Sequence, residues 1–206
     1  ACANAYVQPM MARYLGRLET GLAGIGLACP LLLMMSSGGI TTVETASQQP
    51  IRLVESGPAG GAILARNIAA QNGLEKVLSF DMGGTTAKIT LIDDCEPLFS
   101  RAFEVARAYR FLKGSGLPLR IPVIEMVEIG AGGGSVASLD ALRQIAVGPE
   151  SAGSDPGPAC YGRGNKSATV TDADIVMGRI DPAGFAGGKI ALIPERAVAA
   201  IQAEIA

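Results

Sequence analysis

The sequence predicts an α/β protein in which helices and strands pack in layers. Segments with helical periodicity alternate with short apolar strands along the 206 residues, and this alternation is typical of α/β layering. Hydrophobic residues make up 49% of the chain, which is enough for a buried core. Aromatic residues make up only 4%, whereas glycine occurs 27 times, and this favours closely packed layers over an aromatic-rich binding module.

The first predicted element is an amphipathic helix that ends near Gly24 to Gly26. Apolar residues recur every three or four positions from Val7 to Ile25, and Pro9 fits a first helical turn. No charged residue occurs from Thr20 to Val43, and the length of this stretch alone would permit a membrane span. Because Pro30 interrupts this stretch, we expect a helix end followed by a buried strand, and no membrane segment.

Two apolar runs and a second helix follow. Leu31 to Met35 is predicted to be a buried strand and Ile51 to Glu55 a second strand. Ser36 to Gly39, after the first strand, is predicted to be a plain turn, with an approach to a nucleotide as the alternative. A helix of small residues is predicted from Ser56 to Gln71, and Asn72-Gly73 is typical of a helix end.

The most informative segment is a predicted β-hairpin from Lys76 to Asp93, KVLSFDMGGTTAKITLID. The glycines of its loop carry no Cβ, so their N–H groups can approach a phosphate, and two threonines add hydroxyl donors. Asp81 is the candidate catalytic residue and Mg²⁺ ligand, since Mg²⁺ binds through one or two carboxylates plus phosphate oxygens. The candidate cofactor-binding residues are Asp81, Gly83, Gly84, Thr85 and Thr86. A plain hairpin turn is the open alternative.

Composition excludes several classes of function. The chain has no histidine, so Ser-His-Asp catalysis, Cys-His catalysis and histidine-containing zinc sites are excluded within it. A net charge of −2 gives no basic footprint for nucleic acid. The cysteines lie far apart with no ligand spacing, which predicts a reducing, cytoplasmic setting. They are Cys2, Cys29, Cys95 and Cys160.

The order of these parts resembles the RNase H-like ATPase fold shared by actin, sugar kinases and Hsp70. In that fold a connecting helix precedes the second phosphate loop, just as a small-residue helix here precedes Asp81 to Thr86. The resemblance implies that residues 1–73 are the end of a first lobe with its connecting helix. Residues 74–206 would be the start of a second RNase H-like lobe, truncated at its C-terminus. The first phosphate loop and the adenosine-contacting segment are absent from this sequence.

Three further segments closely resemble the hydantoinase A/5-oxoprolinase family. They are EIGAGGGS at 128–135, VGPESAGSDPGPACYGRG at 147–164 and TVTDAD at 169–174. The resemblance implies a fragment of an A subunit that uses ATP and Mg²⁺ to phosphorylate a cyclic amide (hydantoin, N-methylhydantoin or 5-oxoproline) for hydrolysis, beside a hydantoinase B-type partner. An ATP-dependent ketone carboxylase subunit is the alternative. With half of the ATP cleft absent, we expect these 206 residues to be inactive in isolation.

Two departures from the family pattern keep other functions open. Thr86-Ala87-Lys88 stands where relatives commonly have Ser/Thr-Thr-Asp, so the second acid is missing. Glu125 and Glu128 lie where many relatives carry a histidine before the glycine-rich segment. A non-catalytic nucleotide sensor and a scaffold that binds only its partner subunit therefore remain alternatives.

The glycine-rich segment from Gly130 to Ser135 follows one predicted strand, at Val123 to Ile129; another is expected near Phe103. A Gly-x-Gly-x-x-Gly pattern would need glycine at position 135, so the spacing excludes a dinucleotide loop. The segment could line a substrate pocket with backbone N–H groups, or form a plain turn. The candidate pocket residues are Gly132, Gly133, Gly134, Ser135 and, by resemblance alone, Asp172.

The last motifs have structural explanations. Thr171 to Asp174 matches a helix start, with Thr171 as N-cap and Asp174 three residues on. The prolines of Asp155-Pro156-Gly157-Pro158 predict a rigid loop. Cys160 follows that loop, and with no histidine to activate it we expect a packed structural cysteine and not a nucleophile.

Overall fold

The computed structural model shows a mixed α/β protein and describes residues 1–106, 108 and 114–205. Its α-helices are α1 (Cys2–Gly24), α2 (Val43–Gln48), α3 (Ser56–Gln71), α4 (Val170–Val176) and α5 (Pro194–Glu204). Its strands are β1 (Leu32–Met34), β2 (Ile40–Thr42), β3 (Val77–Met82), β4 (Ala87–Asp93), β5 (Glu96–Pro97), β6 (Phe99–Ser100), β7 (Phe103–Val105), β8 (Leu117–Leu119), β9 (Val123–Ile124), β10 (Val127–Ile129), β11 (Ser135–Leu139) and β12 (Ile145–Ser151). Short 3₁₀-helices lie at Pro50–Leu53, Ala159–Tyr161 and Phe185–Gly188. The predicted α/β class is confirmed.

Contacts divide the chain into two compact units. The first comprises Ala1–Ser79 and Ile89–Val127, and the second comprises Phe80–Lys88 and Glu128–Ala206. The candidate phosphate loop and the candidate pocket residues all belong to the second unit. The predicted lobes, 1–73 and 74–206, concern a larger fold and stay a prediction.

Helix α1 ends at Gly24, as predicted, but it begins at Cys2, so the prediction that Pro9 stands in its first turn is wrong. The side chain of Asn4 fixes the helix to the segment that follows it. Asn4 donates from Nδ2 to the Gln48 carbonyl at 2.9 Å and accepts the Ile51 N–H at Oδ1 at 3.2 Å. On its apolar face Leu15 is 1% exposed. Within the described ranges, no helix is both long enough and apolar enough to cross a membrane.

The predicted turn at Ser36 to Gly39 is confirmed, and it joins β1 and β2 in an antiparallel pair with Met34 opposite Ile40. The predicted strand before it is also present, as β1. Its predicted burial is wrong in part, because Leu32 is 51% exposed. The reason is that β1 and β2 form a two-stranded ribbon that leaves one face open.

The strand predicted from Ile51 to Glu55 is wrong, since Pro50–Leu53 forms a 3₁₀-helix. The proline ring at its start fixes φ in the helical range and removes a donor that a sheet would need. The Arg52 carbonyl accepts the Ser36 N–H at 2.8 Å, and the Val54 carbonyl accepts the Ser36 hydroxyl. These carbonyls are therefore satisfied by a turn and not by a neighbouring strand.

Helix α3 spans Ser56–Gln71, as predicted, and buries a face of alanines. Ala59 and Ala62 are at most 1% exposed and pack with Ile124. Their small side chains let the helix backbone approach its neighbours closely. After the helix, Gly73 has a φ of +68°, the left-handed conformation that glycine adopts at little cost.

Strands β3 and β4 form the predicted hairpin. The sheet that contains it has the order β10-β4-β3, with β5 also paired to β4. Gly83 N–H donates to the Thr86 carbonyl at 2.9 Å and closes the turn between the two strands. The strands predicted near Phe103 and within Val123 to Ile129 are present as β7, β9 and β10.

The second unit places α4 and α5 beside the antiparallel pair β11–β12. Its core includes Cys160 (0% exposed), which packs with Ile175, Leu192 and Ala197. This burial confirms the prediction of a packed cysteine.

Candidate functional site

The loop between β3 and β4 holds a compact set of polar backbone groups. Asp81 is exposed near the end of β3, two residues before the turn closed by Gly83 and Thr86. Among the described residues, the N–H groups of Gly84, Thr85 and Thr86 have no hydrogen-bond partner, and neither do the two threonine hydroxyls. Successive free N–H groups in a glycine turn are the donors that anion-binding loops present.

The glycine-rich segment after β10 lies directly against this loop. Gly133 N–H donates to the Gly83 carbonyl at 2.9 Å, and Gly134 N–H donates to the Gly84 carbonyl at 2.7 Å. The structure thus brings together two motifs that stand about fifty positions apart in the sequence.

Gly132 makes the closest approach of the two segments. A Cβ added to it would lie 2.6 Å from the Gly83 carbonyl oxygen and 2.6 Å from the backbone nitrogens of Thr85 and Thr86. Only glycine leaves room for this contact of backbone against backbone.

The N–H groups predicted to line a substrate pocket all donate within the protein. Besides the two bonds to the hairpin loop, Gly132 N–H donates to Ser135 Oγ at 2.9 Å, and Ser135 N–H donates to the Gly132 carbonyl at 2.9 Å. A pocket role for Gly132, Gly133, Gly134 and Ser135 would therefore depend on their shape and not on free donors. That role stays a prediction.

A third loop, after β12, meets the same glycines; its segment was noted from the sequence as a family-like motif, but Ser151 was not named as a site residue. A Cβ on Gly134 would lie 3.0 Å from Ser151 Oγ, and Ala152 N–H donates to the Gly134 carbonyl at 2.8 Å. The signal that could have identified Ser151 is the run Ser-Ala-Gly-Ser directly after a strand-like segment.

The start of helix α4 differs from the prediction. The N-cap is Thr169, not Thr171, and Asp172, not Asp174, is the acid of the capping box. Both threonines fit the same Thr-x-x-Asp pattern. The structure decides between them: Thr169 has the extended backbone of an N-cap (φ −127°, ψ 169°) and its hydroxyl accepts the Asp172 N–H at 3.3 Å, whereas Thr171 lies inside the first helical turn.

Asp172 is 0% exposed, and its carboxylate joins the start of α4 to the 3₁₀-helix at Ala159–Tyr161. It accepts the N–H groups of Ala159 (3.1 Å), Cys160 (2.8 Å) and Thr169 (3.0 Å), together with the Thr169 hydroxyl (2.7 Å). These four hydrogen bonds compensate for the burial of the negative charge, so a structural role is enough to explain Asp172. A pocket role for Asp172 stays a prediction.

Comparison with known proteins identifies the family of the chain. The family model described as hydantoinase/oxoprolinase matches residues 1–206. The chain belongs to the hydantoinase/oxoprolinase family.

Three similar proteins are all longer than this chain. The chain is 42% identical over 201 residues to an uncharacterized protein of Methanocaldococcus jannaschii, covering 96% of this chain and 29% of that protein. It is 36% identical over 203 residues to the caprolactamase subunit alpha of Pseudomonas jessenii, covering 98% of this chain and 28% of that subunit. The solved nucleotide-free structure of an ATP-dependent acetone carboxylase matches with a TM-score of 0.70 at 29% identity, over 93% of this chain and 26% of that one. The chain spans less than a third of the length of these relatives.

A single carboxylate is available at the loop of this hydantoinase/oxoprolinase chain for a metal ion. No group of three or more acidic, cysteine or histidine side chains that could hold a metal occurs in the described residues. A hydrated Mg²⁺ held partly by phosphate oxygens needs only one or two carboxylates, so the exposed Asp81 fits such an ion.

A cationic side chain also lies close to the loop. Burial lowers the pKa of Lys88, and the negative charge of Glu128 opposes that shift. Lys88 follows the loop by two residues, where a cationic side chain can attract an anionic ligand.

Cys160 gives the second unit a pH dependence in alkaline solution. Burial raises the pKa of its thiol from 9.0 to about 12, and the neighbouring Asp172 adds to the shift. The folded protein holds this proton more tightly than the unfolded chain does, so the stabilisation is complete below pH 9 and is lost as pH rises towards 12. We expect the free energy of unfolding to fall across this window, and to fall less in Cys160→Ala. The free energy of unfolding of the two proteins is measured against pH. Equal slopes between pH 9 and 12 would contradict the prediction.

Proposed function

We propose that this chain provides the second phosphate loop of an ATP-dependent enzyme subunit of the hydantoinase/oxoprolinase type, in an actin-like ATPase fold. Asp81 to Thr86 binds the phosphates of ATP together with Mg²⁺. The subunit uses ATP to phosphorylate a cyclic amide, such as hydantoin, N-methylhydantoin or 5-oxoproline, for hydrolysis.

The observation that carries this proposal is the state of the loop's hydrogen-bonding groups. Gly83 and Gly84 use their carbonyls to hold the glycine-rich segment, while the N–H groups of Gly84, Thr85 and Thr86 have no partner within the described ranges. A loop whose acceptors are occupied and whose donors are free attracts an anion. Because the loop is already fixed by backbone contacts, it needs little ordering on binding.

The proposed roles follow from the chemistry of each group. The N–H donors and the hydroxyls of Thr85 and Thr86 hold phosphate oxygens, and Asp81 holds Mg²⁺ through its carboxylate or through water. When bound, Mg²⁺ neutralises charge on the phosphates during transfer. The amide oxygen receives the γ-phosphoryl group and ADP leaves. Water then adds to the activated carbon, the ring C–N bond breaks to release the amine, and a second water hydrolyses the resulting acyl phosphate to the carboxylate and phosphate.

A ketone carboxylase is the second candidate function, favoured by the similarity to acetone carboxylase. It requires the same phosphate loop, with a carboxyl donor in place of water.

The relatives named as subunits also support a partner chain for this protein, and we propose one of the hydantoinase B type. A cytoplasmic setting belongs to the same proposal and is supported by the four cysteines, all of which are free thiols.

The test is calorimetric titration of the full-length protein with MgATP. Asp81→Ala is expected to weaken binding by about tenfold or more, because it removes the carboxylate that positions the metal on the phosphates. Asp93→Ala is the matched control, since Asp93 lies in the same hairpin but pairs with Lys76 at 3.3 Å, away from the loop. Equal affinities of wild type and Asp81→Ala would reject the proposed site.

Substrate assays on the assembled subunits separate the candidate activities. ATP turnover stimulated by a cyclic amide supports hydrolysis, and turnover that requires a ketone with bicarbonate supports carboxylation. Nucleotide binding without turnover of either substrate class would indicate a nucleotide sensor. Binding of the partner without any nucleotide binding would indicate a scaffold.

A further inference from the structure

Thr171 makes an unusual contact for a residue in the first turn of a helix. Its backbone N–H and its hydroxyl both donate to the carbonyl of Gly133, each at 2.8 Å. A carbonyl oxygen has two lone pairs, so the two bonds together fix the orientation of that peptide group. Thr171 is 7% exposed, and solvent has little access to compete for these bonds.

The carbonyl that Thr171 holds belongs to the same planar peptide as the N–H of Gly134. A trans peptide is rigid, and its C=O and N–H point in opposite directions. Gly134 N–H donates to the Gly84 carbonyl at 2.7 Å. Holding one end of this peptide therefore aims the other end at the hairpin loop.

The same geometry repeats once more inside the hairpin loop. The Gly84 carbonyl shares a planar peptide with the N–H of Thr85. This peptide is trans, because the only cis peptide bonds among the described residues are Gly148–Pro149 and Asp155–Pro156. When Gly134 fixes the Gly84 carbonyl, the free Thr85 N–H is turned the opposite way. Hydrogen bonds in such a series also polarise one another and strengthen the terminal donor.

We propose that Thr171 is a positioning residue for the phosphate loop: it orients the Thr85 N–H towards a phosphate oxygen of ATP through the peptides Gly133–Gly134 and Gly84–Thr85. Thr171 itself does not touch the nucleotide. The inference rests on the proposed function of Asp81 to Thr86, and it assigns to helix α4 a part in that function.

The experiment compares Thr171→Val, which removes the hydroxyl at nearly constant shape, with Thr171→Ser, which retains it. In the full-length protein, Thr171→Val is expected to raise the Kd for MgATP about 2- to 10-fold, the range set by the loss of one hydrogen bond. Thr171→Ser is expected to bind as wild type. In a ¹⁵N-threonine-labelled sample without nucleotide, the Thr85 amide resonance shifts in Thr171→Val and stays in place in Thr171→Ser.

Thr169→Val is the matched control. Thr169 is also buried at the start of the same helix (1% exposed), but its hydroxyl bonds Asp172 and not Gly133. This variant is expected to lower the thermal stability while leaving the Thr85 resonance and the Kd for MgATP unchanged.

The possible outcomes are distinct. An unshifted Thr85 resonance with wild-type affinity in Thr171→Val overturns the inference and leaves the proposed function intact. Equal losses in Thr171→Val and Thr169→Val overturn it also, because they would show a purely structural effect. A wild-type protein that binds no MgATP overturns the proposed function, and the role of Thr171 with it.

Discussion

Replacing Asp172 with alanine is expected to lower the free energy of unfolding of the second unit by about 3–5 kcal/mol. The carboxylate is 0% exposed and accepts four donors from Ala159, Cys160 and Thr169. Each buried donor left without a partner costs about 1–3 kcal/mol, and alanine can accept none of them. Hydrogen exchange of the α4 and α5 amides under urea measures the loss in this unit.

Asp174→Ala is the control for this prediction. Asp174 lies two residues on in the same helix, and its carboxylate pairs with the exposed Arg179 at 3.4 Å. Such a pair contributes about 0–1 kcal/mol. A loss in Asp172→Ala no larger than the loss in Asp174→Ala would show that the buried carboxylate does not hold these segments together.

Gly132→Ala is expected to destabilise the second unit by about 3 kcal/mol, at the upper end of the effect of overpacking. The added Cβ would lie 2.6 Å from three backbone atoms of the hairpin loop, and backbone atoms cannot rotate aside as a side chain can. The loop must move instead. MgATP binding should then weaken by roughly tenfold, which corresponds to about 1.4 kcal/mol of lost phosphate contact.

Gly84→Ala provides the comparison for stability. Gly84 lies in the same loop, but a Cβ there would meet no atom within 4 Å. Thermal unfolding of the two variants should show a lower midpoint for Gly132→Ala and a near wild-type midpoint for Gly84→Ala. Matching midpoints would mean that the contact at Gly132 is not tight in solution.

Local patterns predicted the elements whose signals lie within a few residues. Helix α3 and its end at Asn72-Gly73 follow from small residues and a glycine in the left-handed region, and the hairpin around Asp81 follows from apolar strands flanking two glycines. Where a neighbour distant in sequence decided the outcome, the predictions failed. The Ser36 N–H and hydroxyl donate to the Arg52 and Val54 carbonyls, which a strand at Ile51 to Glu55 would have paired with a neighbouring strand.

The candidate site shows the same limit. The residues of the phosphate loop could be proposed from sequence, because glycines and threonines beside an acid have a definite chemistry. Their contact with Gly132 to Gly134, and the bond from Thr171, depend on how separate segments pack, and no local pattern encodes that. The choice between Thr169 and Thr171 as N-cap illustrates it, since each satisfies the same spacing.

The contact between the hairpin loop and the glycine-rich segment is made by main-chain atoms alone, and this matters for protein engineering. Side chains at Met82, Thr85 and Thr86 take no part in the bonds that seat the loop. A combinatorial library restricted to these positions can alter the chemistry presented to a ligand while the glycines keep the loop in place. Substitutions at these positions therefore leave the backbone hydrogen bonds between the two segments available.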